Sequence, residues 1–462
     1  MTASAETLFD YLGPRYEDAF SCSAYLTSTI RTAIEQLPPN SHILDIGCGT
    51  GKPVSSMLAD AGHKVHGIDV STEMVKIASK QVPGRFEKLD MRTFKPHPKQ
   101  KYDAIFAILS IFQITPGDTV GMCYKWSEWL KPGGMVVVGI TPSTSLPPVV
   151  GVRDSVWDCT RQLGKPWMDQ YTNEVFFSEE KWRAMLGDAG FKVEAETFYD
   201  FVPEDGKHKT PERHHFFFAR KVEREPLLGP YPVPKSASGL STAATAAIDM
   251  DQLVSEDLGN LLSELRTCQP EVLYLGPTIN HTSFKGDNIT SYNGPLESLP
   301  YQSQCFSTVL ALMRMDTVKD THKALSEISR VTSRIPGSQI IIIQGTPDNE
   351  TAKLWNSACP TAQKVQHQGR LLRSAMEELA DQGFGHQTLS RFHAQYVFHN
   401  GGVEEKCGNA TKLFIDLCKY GEIRDKTPME EELCRKLSLH FEDGTQTLRS
   451  DLAMLTARQY PN

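Results

Sequence analysis

The sequence predicts an α/β fold: a doubly wound, mostly parallel sheet with helices on both faces, followed by a second, degenerate domain of the same type. Three observations predict it. From Ser41 onward, short apolar runs alternate with helical stretches, the pattern of βα units around a parallel sheet. The first apolar run ends in a glycine loop, "HILDIGCGTGKP", from His42 to Pro53. After a proline-rich stretch near the middle of the chain, the same order of helices and strands returns, as an internal repeat would.

At 462 residues the chain is too long for one core, since single cores rarely grow past roughly 250–300 residues. A net charge of −8 argues against a nucleic-acid backbone or an anionic membrane as partner, because both attract basic surfaces. The ten cysteines include no C-x-x-C pair, so no metal site is expected, and reduced thiols in a cytoplasmic setting are the simple reading. The N-terminus, "MTASAETLFDYLGPRYEDAF", is too acidic and too broken at Gly13-Pro14 for a signal peptide. No run of about 18 apolar residues occurs, so no spanning helix is expected.

The elements follow in order. "SHILDIG" suits a buried parallel strand, "PVSSMLADAG" a helix closing on Gly62, and "KVHGIDV" a second strand. "STEMVKIASKQV" reads as a helix with Ser71 as its N-cap. "RFEKLDM" and "YDAIFAILS" are the third and fourth strands, a long amphipathic helix runs through "CYKWSEWL", and "GGMVVVGI" is the fifth strand. Beyond it come a helix at "SEEKWRAMLGDAG" and two strands, "FKVEAETFYDF" and "HHFFFARK", that fit an antiparallel edge pair. These make a first domain, 1–224. Residues 225–245, "EPLLGPYPVPKSASGLSTAAT", carry four prolines and then small and hydroxyl residues, the composition of a linker, extended at first and flexible afterwards. Residues 246–462 form the second domain, in which "GNLLSELRTCQPEVLYLGP", "LPYQSQCFSTVLALMRM" and "HKALSEISRVTSRIPGSQIIIIQGTP" parallel segments of the first. A helix at "LLRSAMEELADQGF" and a strand at "RFHAQYVFH" echo its ending.

In an open α/β sheet, ligands sit at the carboxyl ends of the strands. Gly47, Gly49 and Gly51 allow a tight turn and a close approach of ligand to backbone, and the helix that follows offers free N–H groups. Lys52 stands where a dinucleotide loop needs its last glycine, and the Walker pattern is absent. Asp69 ends the second strand, where a carboxylate accepts both hydroxyls of a ribose. Asp90 follows the third, placed to accept an adenine amino group. Asp45 lies beneath the loop, where it faces an ammonium. Together these acids describe S-adenosylmethionine.

"ILDIGCGTG", "HGIDVS", "FEKLDM", "YDAIFA" and "LKPGG" stand in the order and spacing of the Rossmann-like class I S-adenosylmethionine-dependent methyltransferases. The resemblance covers roughly residues 5 to 222 and is strongest to small-molecule enzymes, including those of secondary metabolism. It implies that Gly47, Gly49 and Gly51 line the methionine part, Asp69 the ribose, and Asp90 with the Met91 backbone the adenine. It further implies that Ala107 offers its carbonyl to the amino group, and that no single catalytic residue is general to the family. Capping alone explains any one acid after a strand; it does not explain a glycine loop with acids in register on three strand ends.

Methyl transfer from a sulfonium is an in-line displacement served by proximity inside a dry pocket. The pocket is expected between the N-terminal segment, with Tyr11, Tyr16 and Phe20, and the insertion after the fifth strand, with Trp157, Trp167, Tyr171, Phe176 and Phe177. Such aromatic density suits an apolar or aromatic acceptor, although each ring alone also serves to pack the insertion on the sheet. Gln113, just past the fourth strand, is placed to orient the acceptor. His214 and His215 are adjacent on a strand, so at most one faces a given side. A small-molecule acceptor is the leading reading; protein methylation and a non-catalytic S-adenosylmethionine-binding regulator are the alternatives. Oligomeric state is not legible.

In the second domain Gly276, matching Gly47, is followed by Pro277, and no acid matches Asp69. Gly47 and Asp90 are 43 positions apart, whereas Gly276 and its counterpart Gly294 are 18 apart. The missing stretch corresponds to a helix, the ribose-binding strand and the next helix, so this half is expected to lack a cofactor site.

Overall fold

The computed structural model describes residues 2–20, 23–97, 99–147, 150–202, 211–232, 252–268, 270–277, 286–315, 318–358, 368–399, 401–417, 427–442 and 444–459. The chain divides into two compact units, Met1–Pro226 and Leu227–Asn462.

The first unit opens with α1 (Ala5–Leu12), α2 (Pro14–Phe20) and α3 (Ala24–Ile34). The βα alternation follows: β1 (His42–Ile46), α4 (Val54–Asp60), β2 (Lys64–Asp69), α5 (Thr72–Gln81), β3 (Arg85–Lys88), β4 (Tyr102–Ile108), α6 (Pro116–Trp129) and β5 (Leu130–Ile140). Then come β6 (Val152–Asp154), β7 (Cys159–Trp167), β8 (Gln170–Phe177), α7 (Glu179–Asp188), β9 (Phe191–Phe201) and β10 (Glu212–Lys221). Among the described residues the sheet has the order β3-β2-β1-β4-β5-β10-β9. Strands β1 to β5 pair in parallel; β10 and β9 close the edge antiparallel, as their sequences predict. The order turns at β1 and β4, which opens the crevice where such sheets bind ligands.

Local chemistry accounts for the boundaries. The Ser71 hydroxyl accepts from the Met74 N–H at 3.2 Å and starts α5, and Gly62 leaves α4 at φ +85°. The helix expected to be amphipathic, α6, is instead buried on almost every side, including Met122, Cys123, Tyr124, Trp126 and Trp129. It packs between β5 and α7, and its buried Lys125 donates to the Arg92 carbonyl.

The second unit contains β11 (Leu253–Val254), α8 (Glu256–Cys268), β12 (Val272–Leu275), β13 (Ile289–Ser291), β14 (Thr308–Leu312), α9 (Thr321–Val331), β15 (Gln339–Gly345) and α10 (Glu350–Ala358). It continues with α11 (Gly369–Asp381), β16 (His386–Phe392), β17 (Gln395–Val397), α12 (Val403–Leu417), α13 (Thr427–Phe441), β18 (Thr447–Arg449) and β19 (Leu452–Arg458). Its main sheet runs β13-β12-β14-β15-β19-β16, beside a small sheet β11-β17-β18.

Three expectations change here. Leu227 and Leu228 are buried in the core of the second unit, so the stretch from 225 begins as packed chain rather than extended linker; residues 233–251 lie outside the described residues. "RFHAQYVFH" is not one strand: β16 and β17 belong to different sheets. The antiparallel partner of β15 is β19 at the chain's end. Finally, β13 pairs directly with β12 in parallel and so stands where β2 stands in the first unit. The ribose-strand position is therefore occupied, and Gly294 is not the counterpart of Asp90.

Charge as well as apolar packing holds this unit. Asp348 and Asp451, both buried, accept from Arg391 at 2.9 Å each, and Arg449 reaches both acids. Removing one partner of such a buried network strands a charge. No helix among the described residues is long and apolar enough to cross a membrane.

Candidate functional site

The site is built at the carboxyl ends of β1, β2 and β4. After Ile46 the chain turns sharply: Gly47, Gly49 and Gly51 all have positive φ, at +65°, +53° and +83°, a region open mainly to glycine. The Gly47 and Cys48 amides donate to the Ile68 carbonyl at 2.8 and 3.1 Å, which fastens the loop to β2. Each glycine is small for its own reason. A Cβ at Gly47 would run into Ser110, and one at Gly51 would press on Ala78 of α5 and on Val82 just past it. At Gly49 the nearest atom, on Tyr16, is 3.8 Å away, so this glycine has room above it. The Cys48 sulfur packs toward Gly67 of β2, as a filler.

The acids differ in state. Asp45 accepts from the Ser55 hydroxyl of α4 at 2.6 Å; burial, partly offset by that bond and reinforced by Asp69, pushes its carboxyl up to about 7. Asp69 accepts from the Gly49 amide at 3.0 Å and the Ser71 amide at 2.8 Å, and burial raises it despite those bonds. Asp90 is turned onto its own neighbour: burial raises its carboxyl, but the Arg92 guanidinium, bonded to both oxygens, outweighs that and holds it below the usual range. Met91 lies in the turn that follows, and Ala107 is buried within β4.

The N-terminal helices lie over this loop. Asp10 of α1 accepts from the Ser71 hydroxyl at 2.6 Å and the Glu73 amide at 3.1 Å, at the start of α5. Glu17 of α2 and the Thr50 carbonyl share the Gln81 amide nitrogen, at 2.9 and 2.6 Å. Tyr16, half-buried, sits near Asp69; burial first, and that charge second, push its phenol up to about 12. Its ring meets Phe9 at 5.5 Å and Trp167 at 6.3 Å, and Phe9 meets Trp167 at 6.0 Å.

Trp167 comes from the insertion after β5, so the structure joins the two segments expected to build the acceptor pocket. The insertion is a β6-β7-β8 sheet. The Val175 amide of β8 donates to the Phe112 carbonyl at 2.8 Å, and Phe112 meets Phe176 at 5.7 Å. Register puts Lys165 opposite Thr172 and Trp167 opposite Gln170, so these side chains share a face. That face also carries Glu174, which accepts from Lys165 at 2.9 Å and contacts Thr172 at 3.1 Å.

The other predicted residues fall out as follows. Gln113 is half-buried just past β4, and its side-chain oxygen is buried with no hydrogen-bond partner. Tyr11 is 51% exposed with the Arg15 guanidinium over its ring, outside the Phe9–Tyr16–Trp167 group. Trp157 is buried at the β6–β7 turn, where its amide donates to Asp154. The side chain of Phe20 lies outside the described residues. His214 and His215 lie on β10, bonded to Tyr199 and Glu196 of β9; burial pushes His214 down to about 4. Sequence reasoning missed Ser110, whose hydroxyl donates to the Ile46 carbonyl at 2.7 Å. It also missed Asp10, Lys165 and Glu174, which carry no local motif.

The second unit shows what stands in the same place. Leu109 and Met313 are both at positive φ, +54° and +49°, and both donate to the fifth-strand backbone, at Gly139 and Ile343. With the strand registers, this sets Tyr274 against Asp45, Asn293 against Asp69 and Arg314 against Ser110. Tyr274 folds back over Gly276 and donates to the Pro277 carbonyl at 2.8 Å. Arg314 donates to the Gly294 carbonyl at 2.9 Å.

Residues 43–134 match the family described as a methyltransferase domain. A phosphoethanolamine N-methyltransferase of Triticum aestivum is 33% identical over 133 residues, 27% of this chain and 26% of that protein. One of Plasmodium falciparum is 32% identical over 116 residues, 24% of this chain and 43% of that protein. The chain thus spans between a quarter and a half of the length of these relatives. A solved structure, the magnesium protoporphyrin IX methyltransferase of Synechocystis with bound S-adenosylmethionine, is 16% identical and covers 48% of this chain and 98% of its own, with a TM-score of 0.34.

Proposed function

We propose, on the premise that residues 43–134 are a methyltransferase domain of the class I, S-adenosylmethionine-dependent kind, that the first unit methylates a small polar acceptor, with nitrogen as the accepting atom. The observation that carries this reading is the grouping of Phe9, Tyr16 and Trp167 over a glycine loop underlain by two buried acids.

The residues fit S-adenosyl-L-methionine. Asp45 and Asp69 are both buried and both raised by burial, with the Asp69 charge raising Asp45 further, an arrangement that a cationic ligand relieves. In this reading Asp45 and the Ala107 carbonyl face the ammonium, Gly47 and Gly49 line the methionine part, and Gly51 keeps the loop tight on α5. Asp69 takes the ribose hydroxyls; Asp90 and the Met91 backbone take the adenine, Asp90 by sharing its carboxylate with Arg92. The cofactor supplies an electrophilic methyl group on sulfur.

The chain's own residues do the rest. The three rings exclude water and favour positive charge growing on an amine. Gln113 offers an unpartnered oxygen to an N–H, and the Lys165–Glu174 pair offers both signs of charge to a zwitterionic or phosphorylated acceptor. That pair, with Glu174 buried and Lys165 half-buried, favours a polar acceptor over an apolar one, because charges on this wall are better met by polar groups. The names of the wheat and Plasmodium relatives favour an amine as well.

Incubating the full-length protein with methyl-labelled cofactor and a panel of acceptors tests the reading. Label is expected in phosphoethanolamine or another small primary amine. Label in phenolic or apolar compounds would return the acceptor to the aromatic class. Label in protein would make this a protein methyltransferase, and tight binding without transfer to any acceptor would make it a regulator.

A further inference from the structure

Two thiols of the second unit face one another between its last two described helices. α12 and α13 pack side by side, burying Ala410, Leu413 and Phe414 of one with Leu433, Leu437 and Phe441 of the other. Cys407 of α12 and Cys434 of α13 line one groove, whose rim carries Glu404, Glu431 and Ser438. Their side chains are within hydrogen-bonding reach of each other. Cys407 is 1% exposed, while Cys434 is half-buried and reachable from solvent. Neither is bonded to another cysteine. Among the described residues no group of three or more His, Cys, Asp or Glu side chains is placed to hold a metal ion, so thiol exchange is the chemistry this pair offers.

We propose that Cys407 and Cys434 are a reversible thiol–disulfide pair, oxidised by exchange with a low-molecular-weight disulfide such as oxidised glutathione, and that the bridge staples α12 to α13. Cys434 is the attacking thiol because it is the accessible one. Its thiolate bonds to one sulfur of the small disulfide, whose S–S bond breaks and releases one small thiolate that takes a proton. Cys407 then gives up its proton to solvent as its sulfur bonds to the Cys434 sulfur and expels the second small thiol. Two protein thiols are oxidised, and one disulfide is reduced to two thiols. Burial, and then the Cys434 group beside it, push the Cys407 thiol up to about 12, which suits a resolving rather than an attacking role. The bridge would close a loop 27 positions long, across which it removes freedom from the unfolded chain.

The test uses the full-length, folded protein incubated with oxidised glutathione, quenched with an alkylating agent and mapped by peptide mass spectrometry. The expected result is a peptide pair joined through Cys407 and Cys434, with alkylation of both lost and restored by dithiothreitol. Cys407→Ser is expected to retain one glutathione on Cys434, and Cys434→Ser to leave Cys407 free. Recovery of both thiols alkylated in the wild type would overturn the proposal. So would a stable glutathione adduct at Cys434 of the wild type, a bridge from either residue to Cys418 instead, or a glutathione adduct at Cys407 in Cys434→Ser.

Discussion

At the carboxyl end of β1 the first unit has glycines, a serine and buried acids; at the carboxyl end of β12 the second has a tyrosine folded over one glycine and an arginine across the next turn. The strands beneath are alike. Val136, Val137 and Val138 of β5 and Ile340 to Ile343 of β15 are all buried, and both sheets place the same sequence of parallel neighbours around their first strand. The difference teaches that sheet and site are specified by different residues. Strand interiors set the core, and a few positions just past the strand ends set what the crevice can hold. In our reading the second unit has kept the first set and exchanged the second.

Substitutions at matched positions are the way to break that comparison, and Gly47 and Gly276 should differ most. Gly47→Ala forces a Cβ onto Ser110 at a backbone angle that favours glycine, so S-adenosylmethionine affinity should fall at least about a hundredfold. Gly276→Ala displaces the Tyr274 ring and should cost the second unit about 1–3 kcal/mol, with cofactor affinity unchanged within about twofold. Calorimetric titration and denaturant melts of both variants read the two outcomes. Equal losses of affinity would mean that both crevices bind.

Asp69 and Asn293 form the next pair. Asp69→Ala removes an acceptor of the Gly49 and Ser71 amides as well as the proposed ribose contact. At roughly 1.5–3 kcal/mol for a charged hydrogen bond, affinity should drop at least about tenfold. Asn293→Ala should leave it untouched.

The third contrast is one of protonation. Asp45 titrates near 7 in the free protein, whereas Tyr274 at the matching position carries no charge in that range. The folded value lies above the ordinary 3.8, so the protonated acid stabilises the fold; that contribution is complete below about pH 4 and is lost as pH rises toward 7. An ammonium beside Asp45 favours the carboxylate instead. Cofactor affinity should therefore rise up to about tenfold from pH 6 to pH 8, with proton release on binding below pH 7. Titrations in buffers of different ionisation heat measure both quantities. A flat profile, or one that persists in Asp45→Asn, would remove the acid from the site.

The smallest effect is expected at the histidines. His214 is buried, neutral and bonded to Tyr199, and His215 is paired with Glu196, on the strand pair at the sheet edge. Replacing both by Gln should change the maximal rate by no more than about threefold. A loss of 10²–10⁴ would mark a proton-transfer role.

The sequence reading succeeded where the signal is local. A glycine loop and a Ser71 cap are set by neighbours in the chain, and the central parallel strands β1, β4 and β5 announced themselves as apolar runs. It failed where partners lie far apart in sequence. Ser110 locks Gly47 from 63 positions away, Asp10 meets Ser71 across the crevice, and nothing in "NITSY" says that Ile289–Ser291 will pair with β12. The aromatic count suits an aromatic or apolar acceptor, but composition does not show which faces of a hairpin turn inward. Register does, and it brings Lys165 and Glu174 to the same wall as Trp167.

The claim at the centre is that one crevice holds cofactor and the other does not, and its most direct test is the stoichiometry of binding. Titrating the full-length chain with S-adenosylmethionine by calorimetry should reach one equivalent per chain, and Asp69→Ala should weaken that single event while Asn293→Ala leaves it intact. Two equivalents, or one equivalent that survives Asp69→Ala but is lost in Asn293→Ala, would contradict it.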